Sequence, residues 1–196
     1  MLVDGLSFDL QGLQPTQVEH APPARHSFGI PRGVDPAKLV ALRLVPGPHL
    51  ATGRVMLPVL RAQMQIARAI IRRSERVDCL VWAPARSAIG QEFFARAVDG
   101  WLSGGAFPAL GLVSYDIRAD GAMQSEGLGI MTGQELRLAA SLATNRVAAT
   151  QLAVRLVNQL VAMGGLREAE QLIGPDGNRL RLEPQDGGKI IGVRAD

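Results

Sequence analysis

The sequence predicts an α+β fold: a mixed β-sheet with helices mainly on one face, of the split-βαβ kind related to ferredoxin-like folds. Three observations predict it. Strand-like runs at 40–45 and 79–82 bracket an amphipathic helix at about 55–74, and a β-α-β unit within one sheet demands parallel strands and a right-handed crossover. Asp120-Gly121 readily adopts the positive φ angles of a tight hairpin turn, which adds antiparallel pairs. After a long apolar helix at 145–163, short alternating segments punctuated by Asp176-Gly177 and Gly187-Gly188 read as a β-meander over about 168–193.

The elements follow in order. Residues 1–38 carry Pro15, Pro22, Pro23, Pro31 and Pro36 with glycines between them, and read as an irregular N-terminal arm with one short strand near 6–10. The strand at 40–45 stops at Pro46-Gly47-Pro48, because proline cannot continue a ladder. In the helix that follows, Met56, Leu60, Ala67 and Ile71 share one side and Arg61, Gln65, Arg68 and Arg72 the other. The run Cys79-Leu80-Val81-Trp82 is wholly apolar, the pattern of a central strand with Trp82 buried at its end. A helix at about 90–102 places Phe94, Val98 and Trp101 at i, i+4 and i+7 spacing. Strands are expected at 109–117 and 123–131. Thr132 and Glu135 have capping-box spacing, but Glu135-Leu136-Arg137-Leu138 alternates like a strand, and the strand is preferred. The whole is read as the arm, 1–38, followed by one α+β domain, 39–196.

Composition narrows the class. The 196 residues suffice for a core without cystines or metals. Aromatics are only 4%, so Leu, Val, Ile and Ala must build that core. The net charge is +3, almost all of it arginine interleaved with acids, and no basic run occurs. That pattern argues against a nucleic-acid partner; the Arg and Ala bias reads as the codon habit of a GC-rich bacterium. With Cys79 the single cysteine, an intramolecular disulfide is impossible. No apolar run approaches membrane-spanning length, and 1–10 lacks the basic start of a secretory signal. A cytoplasmic protein is expected.

Two segments resemble the signatures of an uncharacterised bacterial domain-of-unknown-function family. Val81-Trp82-Ala83-Pro84-Ala85-Arg86-Ser87 followed by Glu92-Phe93-Phe94 is similar to its strand, Trp-x-Pro turn and helix. Gly127-Leu128-Gly129 followed by Gly133-Gln134-Glu135-Leu136 is similar to its Gly-Leu and Gly-x-Glu-Leu groups. The resemblance spans about 40–193. It departs after the long helix, where Ala169-Glu170-Gln171-Leu172-Ile173-Gly174 stands in place of a Gly-Asp-Thr-Ile-Gly-like turn. It implies no activity.

Chemistry-bearing residues are few. His20 and His26 lie in the arm at a spacing that fits no zinc template. His49 follows the first strand, and Arg86 and Ser87 follow the second. Parallel strands would bring these loops to one carboxyl end of the sheet, where α/β proteins bind ligands. Ser87 with His49 as base is one possibility, though no nucleophile elbow surrounds it; a helix-capping Ser87 and a loop His49 are the plainer one. Glu126 and Glu135 bracket a glycine-rich stretch lacking the context of a phosphate loop. The ligand-binding candidates are therefore His49, Trp82, Arg86, Ser87 and Glu135, with no catalytic, metal or cofactor residue assigned. Two functions stand: a non-catalytic binding or protein-interaction module, expected as a homodimer through helix 145–163 or the arm, or a small hydrolase or transferase using the strand-end loops.

Overall fold

The computed structural model describes residues 1–14, 18–53, 56–74 and 76–196, and the chain divides into two units, Met1–Gly111 and Leu112–Asp196. Both mix helix and strand, so the α+β class holds. Among the described residues no helix is long and apolar enough to cross a membrane.

In the first unit, Asp4 and Gly5, both at positive φ, turn β1 (Leu2–Val3) back onto β2 (Leu6–Gln11), which is the strand predicted near 6–10. β3 (His26–Phe28) joins a different sheet. β4 (Arg43–Pro46) returns to pair antiparallel with β2. Helix α1 (Leu57–Arg73) lies on these strands. Its Val59, Ala62 and Ile66 close over Phe8, with Val3, Leu6 and Leu44 packed against them. The predicted first residue of this helix, Val55, lies outside the described residues, as does Pro15 of the arm.

β5 (Cys79–Trp82) and β6 (Ser87–Gly90) form an antiparallel pair. Arg86, at φ 45°, makes the sharp turn between them. Its carbonyl accepts the Arg25 and His26 N–H groups at 2.7 and 3.2 Å, and β3 runs parallel to β6 beyond that anchor. A Cβ on Gly90 would sit 1.9 Å from the Gly29 carbonyl oxygen, so only glycine admits β3 this closely. α2 (Gln91–Leu102) follows. It packs on α1 through ion pairs of Arg68 and Arg72 with Asp99 and through Arg61, 5.3 Å above the Trp101 ring. The unit ends within α3 (Ala109–Leu112), one turn broken by Gly111 at φ 100°, where the sequence predicted the start of a strand.

The expected parallel pairing of the strands at 40–45 and 79–82 does not form. β4 lies in the sheet β1-β2-β4 and β5 in the sheet β3-β6-β5. The crossover argument assumed that no other strand competes. The N-terminal 38 residues supply those competitors, and Arg86 folds β6 back onto β5. β5 is consequently an edge strand, not a central one.

The second unit holds the mixed sheet. β7 (Ser114–Ile117) and β8 (Met123–Glu126) form the hairpin announced by Asp120-Gly121. A turn, α4 (Gly129–Thr132), replaces the second half of the strand expected to reach 131. β9 (Glu135–Leu138) is a strand, as preferred. After α5 (Ala140–Ala143), helix α6 (Arg146–Met163) is capped by Asn145, whose Oδ1 accepts the Val147 and Ala148 N–H groups at 3.0 and 3.1 Å. β10 (Glu170–Ile173), β11 (Arg179–Gln185) and β12 (Ile190–Ala195) complete the predicted meander. The order is β10-β11-β12-β9-β8-β7, and β9 and β12 are parallel. Leu136, Leu138, Leu182, Ile191 and Val193 share one face and are buried together with Leu152, Leu156, Val157, Leu160 and Val161 of α6. The helix was expected to carry more apolar surface than a sheet face could hide. Here only its ends, Val147 and Met163, are exposed large apolar residues.

Candidate functional site

The five sequence candidates separate. His49 is exposed, its Nδ1 3.2 Å from Ser7 Oγ. Trp82 ends the edge strand β5 and is half-buried, short of the burial expected of a central-strand tryptophan. Arg86 serves through its backbone, with its side chain exposed. Ser87 is fully buried inside β6, and its hydroxyl donates to the Gly111 carbonyl. It therefore caps no helix and offers no exposed nucleophile. The shared cleft for His49, Arg86 and Ser87 rested on the parallel pair that does not form.

Glu135 is held inside the second unit. Its Oε1 accepts the N–H groups of Gly127 and Gly129, both at 2.9 Å, and its Oε2 accepts the Ser125 hydroxyl at 2.5 Å. Ser125 Oγ in turn accepts the Leu136 N–H at 2.7 Å. Gly127 stands at φ 103°, a conformation that L side chains rarely adopt, and this lets two amides converge on one carboxylate oxygen. Tyr115, opposite Ser125 in the β7–β8 ladder, is buried nearby. Its pKa is pushed above the usual phenol range, first by burial and second by the charge of Glu135.

Gln134, next in the chain, was missed by sequence reasoning. It is buried; its Nε2 donates to the carbonyls of Leu166 and Gly188 at 2.9 and 2.8 Å, and its Oε1 accepts the Leu166 N–H at 2.7 Å. One amide thus ties the segment after α6 to the β11–β12 turn. Its only sequence signal was a polar residue next to a glycine before an alternating strand.

The face of this sheet opposite α6 is polar. Arg137 donates to Gln124 at 2.8 Å and pairs with Asp120, while Glu183 accepts Arg181 at 2.5 Å and faces Arg194 at 3.5 Å. Between them lies a shallow depression of about 180 Å³, bordered by Ala139, Gln185 and Gly192. The charged side chains here already answer one another, which is how an antiparallel sheet meets water on one side.

Apolar groups meet water elsewhere. In the first unit Leu13, Val18, Val40 and Leu42 are 65, 59, 64 and 45% exposed. Val40 and Leu42 lie two residues apart on one side of an extended segment. That segment pairs at Val40 with His20, and its Ala41 N–H donates to the Glu19 carbonyl at 2.8 Å. Gly12, beside Leu13, also comes close to Ala41: an added Cβ would lie 2.7 Å from the Ala41 oxygen. Backbone proximity thus brings the four residues to one stretch of the first unit.

Fold and site together define an α+β protein in two units, in which Ser87 and Glu135 are tied into the framework by hydrogen bonds and four exposed apolar residues lie along one stretch of the first unit. No family model, curated protein or solved structure matches the chain.

Proposed function

We propose that the chain is a cytoplasmic, non-catalytic binding or protein-interaction module that associates with a second copy of itself. The observation that carries this reading is the exposed margin of Leu13, Val18, Val40 and Leu42. Monomers seldom leave contiguous apolar surface in water unless something docks there, and two-fold dimers are the commonest closed assembly. The engagement of Ser87 and Glu135 in framework hydrogen bonds also favours a structural over a catalytic role for both.

Sedimentation equilibrium at micromolar concentration tests the proposal. Twice the 20.9 kDa of one chain is expected; a mass near 20.9 kDa removes the self-association. Deleting residues 1–36 would not be a clean test of the arm, because Phe8 sits in the core under α1.

A further inference from the structure

We infer that the Ser7 hydroxyl is a covalent acceptor for small activated acyl esters, with His49 as its general base. The two side chains lie 42 residues apart in the chain and meet at one end of the sheet β1-β2-β4, with Ser7 Oγ 3.2 Å from His49 Nδ1. A hydroxyl and a base within this reach are the signature of an activated nucleophile. Alternation along β2 puts Ser7 on the side opposite Phe8, which is buried under α1. His49 is exposed, so an electrophile reaches the pair from solvent. This reactivity is independent of the self-association proposed above.

The meeting is built into the backbone. The β2–β4 ladder ends at Phe8 and Pro46, and one step on the Gly47 N–H donates to the Ser7 carbonyl at 2.9 Å. The short 3-10 turn Pro48–Leu50 then brings His49 to Ser7. Gly47 has an extended backbone, at φ −61° and ψ 161°, that other residues also adopt. A side chain is excluded there by the pair itself, since a Cβ would lie 2.6 Å from Ser7 Oγ and 3.3 Å from His49 Cε1. In the tautomer with its proton on Nε2, His49 Nδ1 accepts the Ser7 hydroxyl. On attack, the bond from Oγ to the acyl carbon forms and the bond from that carbon to the leaving alkoxide breaks. The Oγ proton passes to Nδ1 and on to solvent. The Gly47 N–H is spent on Ser7, and the Leu50 N–H on the Gly47 carbonyl at 2.9 Å. Neither can hold the oxyanion on which rapid turnover depends, so Ser7 is assigned as a stoichiometric acceptor, in keeping with a non-catalytic module.

The experiment exposes the whole chain to p-nitrophenyl acetate and locates the acetyl groups by peptide mass mapping. Ser141, exposed on α5, and the exposed Lys38 are internal references. Wild-type Ser7 should be acetylated about a hundredfold faster than Ser141, the low end of what a positioned general base supplies. His49→Gln offers Ser7 a hydrogen-bond partner that cannot take its proton. Since His49 is exposed, the fold is expected to persist with unchanged circular dichroism. In this variant Ser7 should fall to the rate of Ser141 while Lys38 reacts as before. Gly47→Ala, which forces the pair apart, should slow Ser7 in the same way. Acetylation of wild-type Ser7 no faster than that of Ser141 overturns the inference. So does a Ser7 rate that His49→Gln leaves unchanged, because the contact would then be a plain surface hydrogen bond.

Discussion

The two units solve the same problem differently. In the second, one long helix lies along one face of a six-stranded sheet, and nearly every large apolar side chain finds a partner. Ile117, Val147, Met163 and Ile173 are the exposed exceptions, each at the end of an element or beside it. In the first, the strands are short and divided between two three-stranded sheets, and exposed apolar residues include Met1, Leu2, Leu13, Val18, Val40, Leu42, Met56 and Leu110. A short strand buries few side chains per backbone ladder, so extended straps are left partly outside the core. The difference teaches where each unit's apolar surface goes: into its own interior in the second, and in part to the exposed surface in the first.

Core truncation should expose this contrast most strongly. Leu156, on the buried side of α6, is 1% exposed. Leu156→Ala should lower stability by about 2–5 kcal/mol, the transfer and cavity cost of a buried leucine. Val40→Ala, read on the dissociated chain, should change it by less than about 0.5 kcal/mol. Urea denaturation of the two variants is the measurement. Comparable losses would mean that Val40 is as deeply integrated as Leu156 and would erase the distinction.

A smaller effect is expected at Gln134. Gln134→Ala leaves the Leu166 N–H and the carbonyls of Leu166 and Gly188 without their partner. Stranding buried groups costs roughly 1–3 kcal/mol, and water entering at the β11–β12 turn limits the total. Hydrogen exchange should speed up at Leu166 more than at Val59 in the first unit. Equal acceleration at both would show that the clamp is not local to its unit.

What was legible in the sequence was what neighbouring residues decide. Asp120-Gly121 announced its hairpin, and the alternation of Glu135 to Leu138 was enough for β9. Asp4-Gly5 carries the same turn chemistry as Asp120-Gly121, yet the prolines around it made the segment read as an irregular arm. The left-handed turn at Arg86 has no signature in residue type, because a non-glycine residue holds that conformation only when its surroundings impose it. Without that turn Ser87 looked like a loop residue and the strand at 79–82 looked central. The surroundings of Glu135 were illegible for a related reason: it alternates like any strand residue, and its ring of donors exists only once Gly127 and Gly129 fold over it. The exposed margin was harder still to read, since Val40 and Leu42 are sequence-typical of a buried strand and only the pairing of 18–20 and 6–11 along the same segment leaves them outside.

The smallest effect concerns protons and probes how dry the second unit is around Glu135. Tyr115 is the chain's single tyrosine, so tyrosinate absorbance reports this one group. Burial, followed by the Glu135 charge, raises its pKa in the folded protein, while the unfolded chain should ionise near the ordinary value of about 10. The folded state therefore keeps the phenolic proton after the unfolded state has lost it. Stability is unaffected below about pH 10 and falls as pH rises from there toward the folded value, because the unfolded state then binds fewer protons. A spectrophotometric titration should show no tyrosinate at pH 10.5 while the native circular dichroism persists, and its appearance should coincide with alkaline unfolding. Glu135→Gln removes the secondary cause and keeps the burial, so tyrosinate should appear at a lower pH than in the wild type yet still above that of the unfolded chain. Ionisation of the native wild type near pH 10 would mean that water reaches Tyr115 freely, and the second unit would then be no better sealed than the margin of the first.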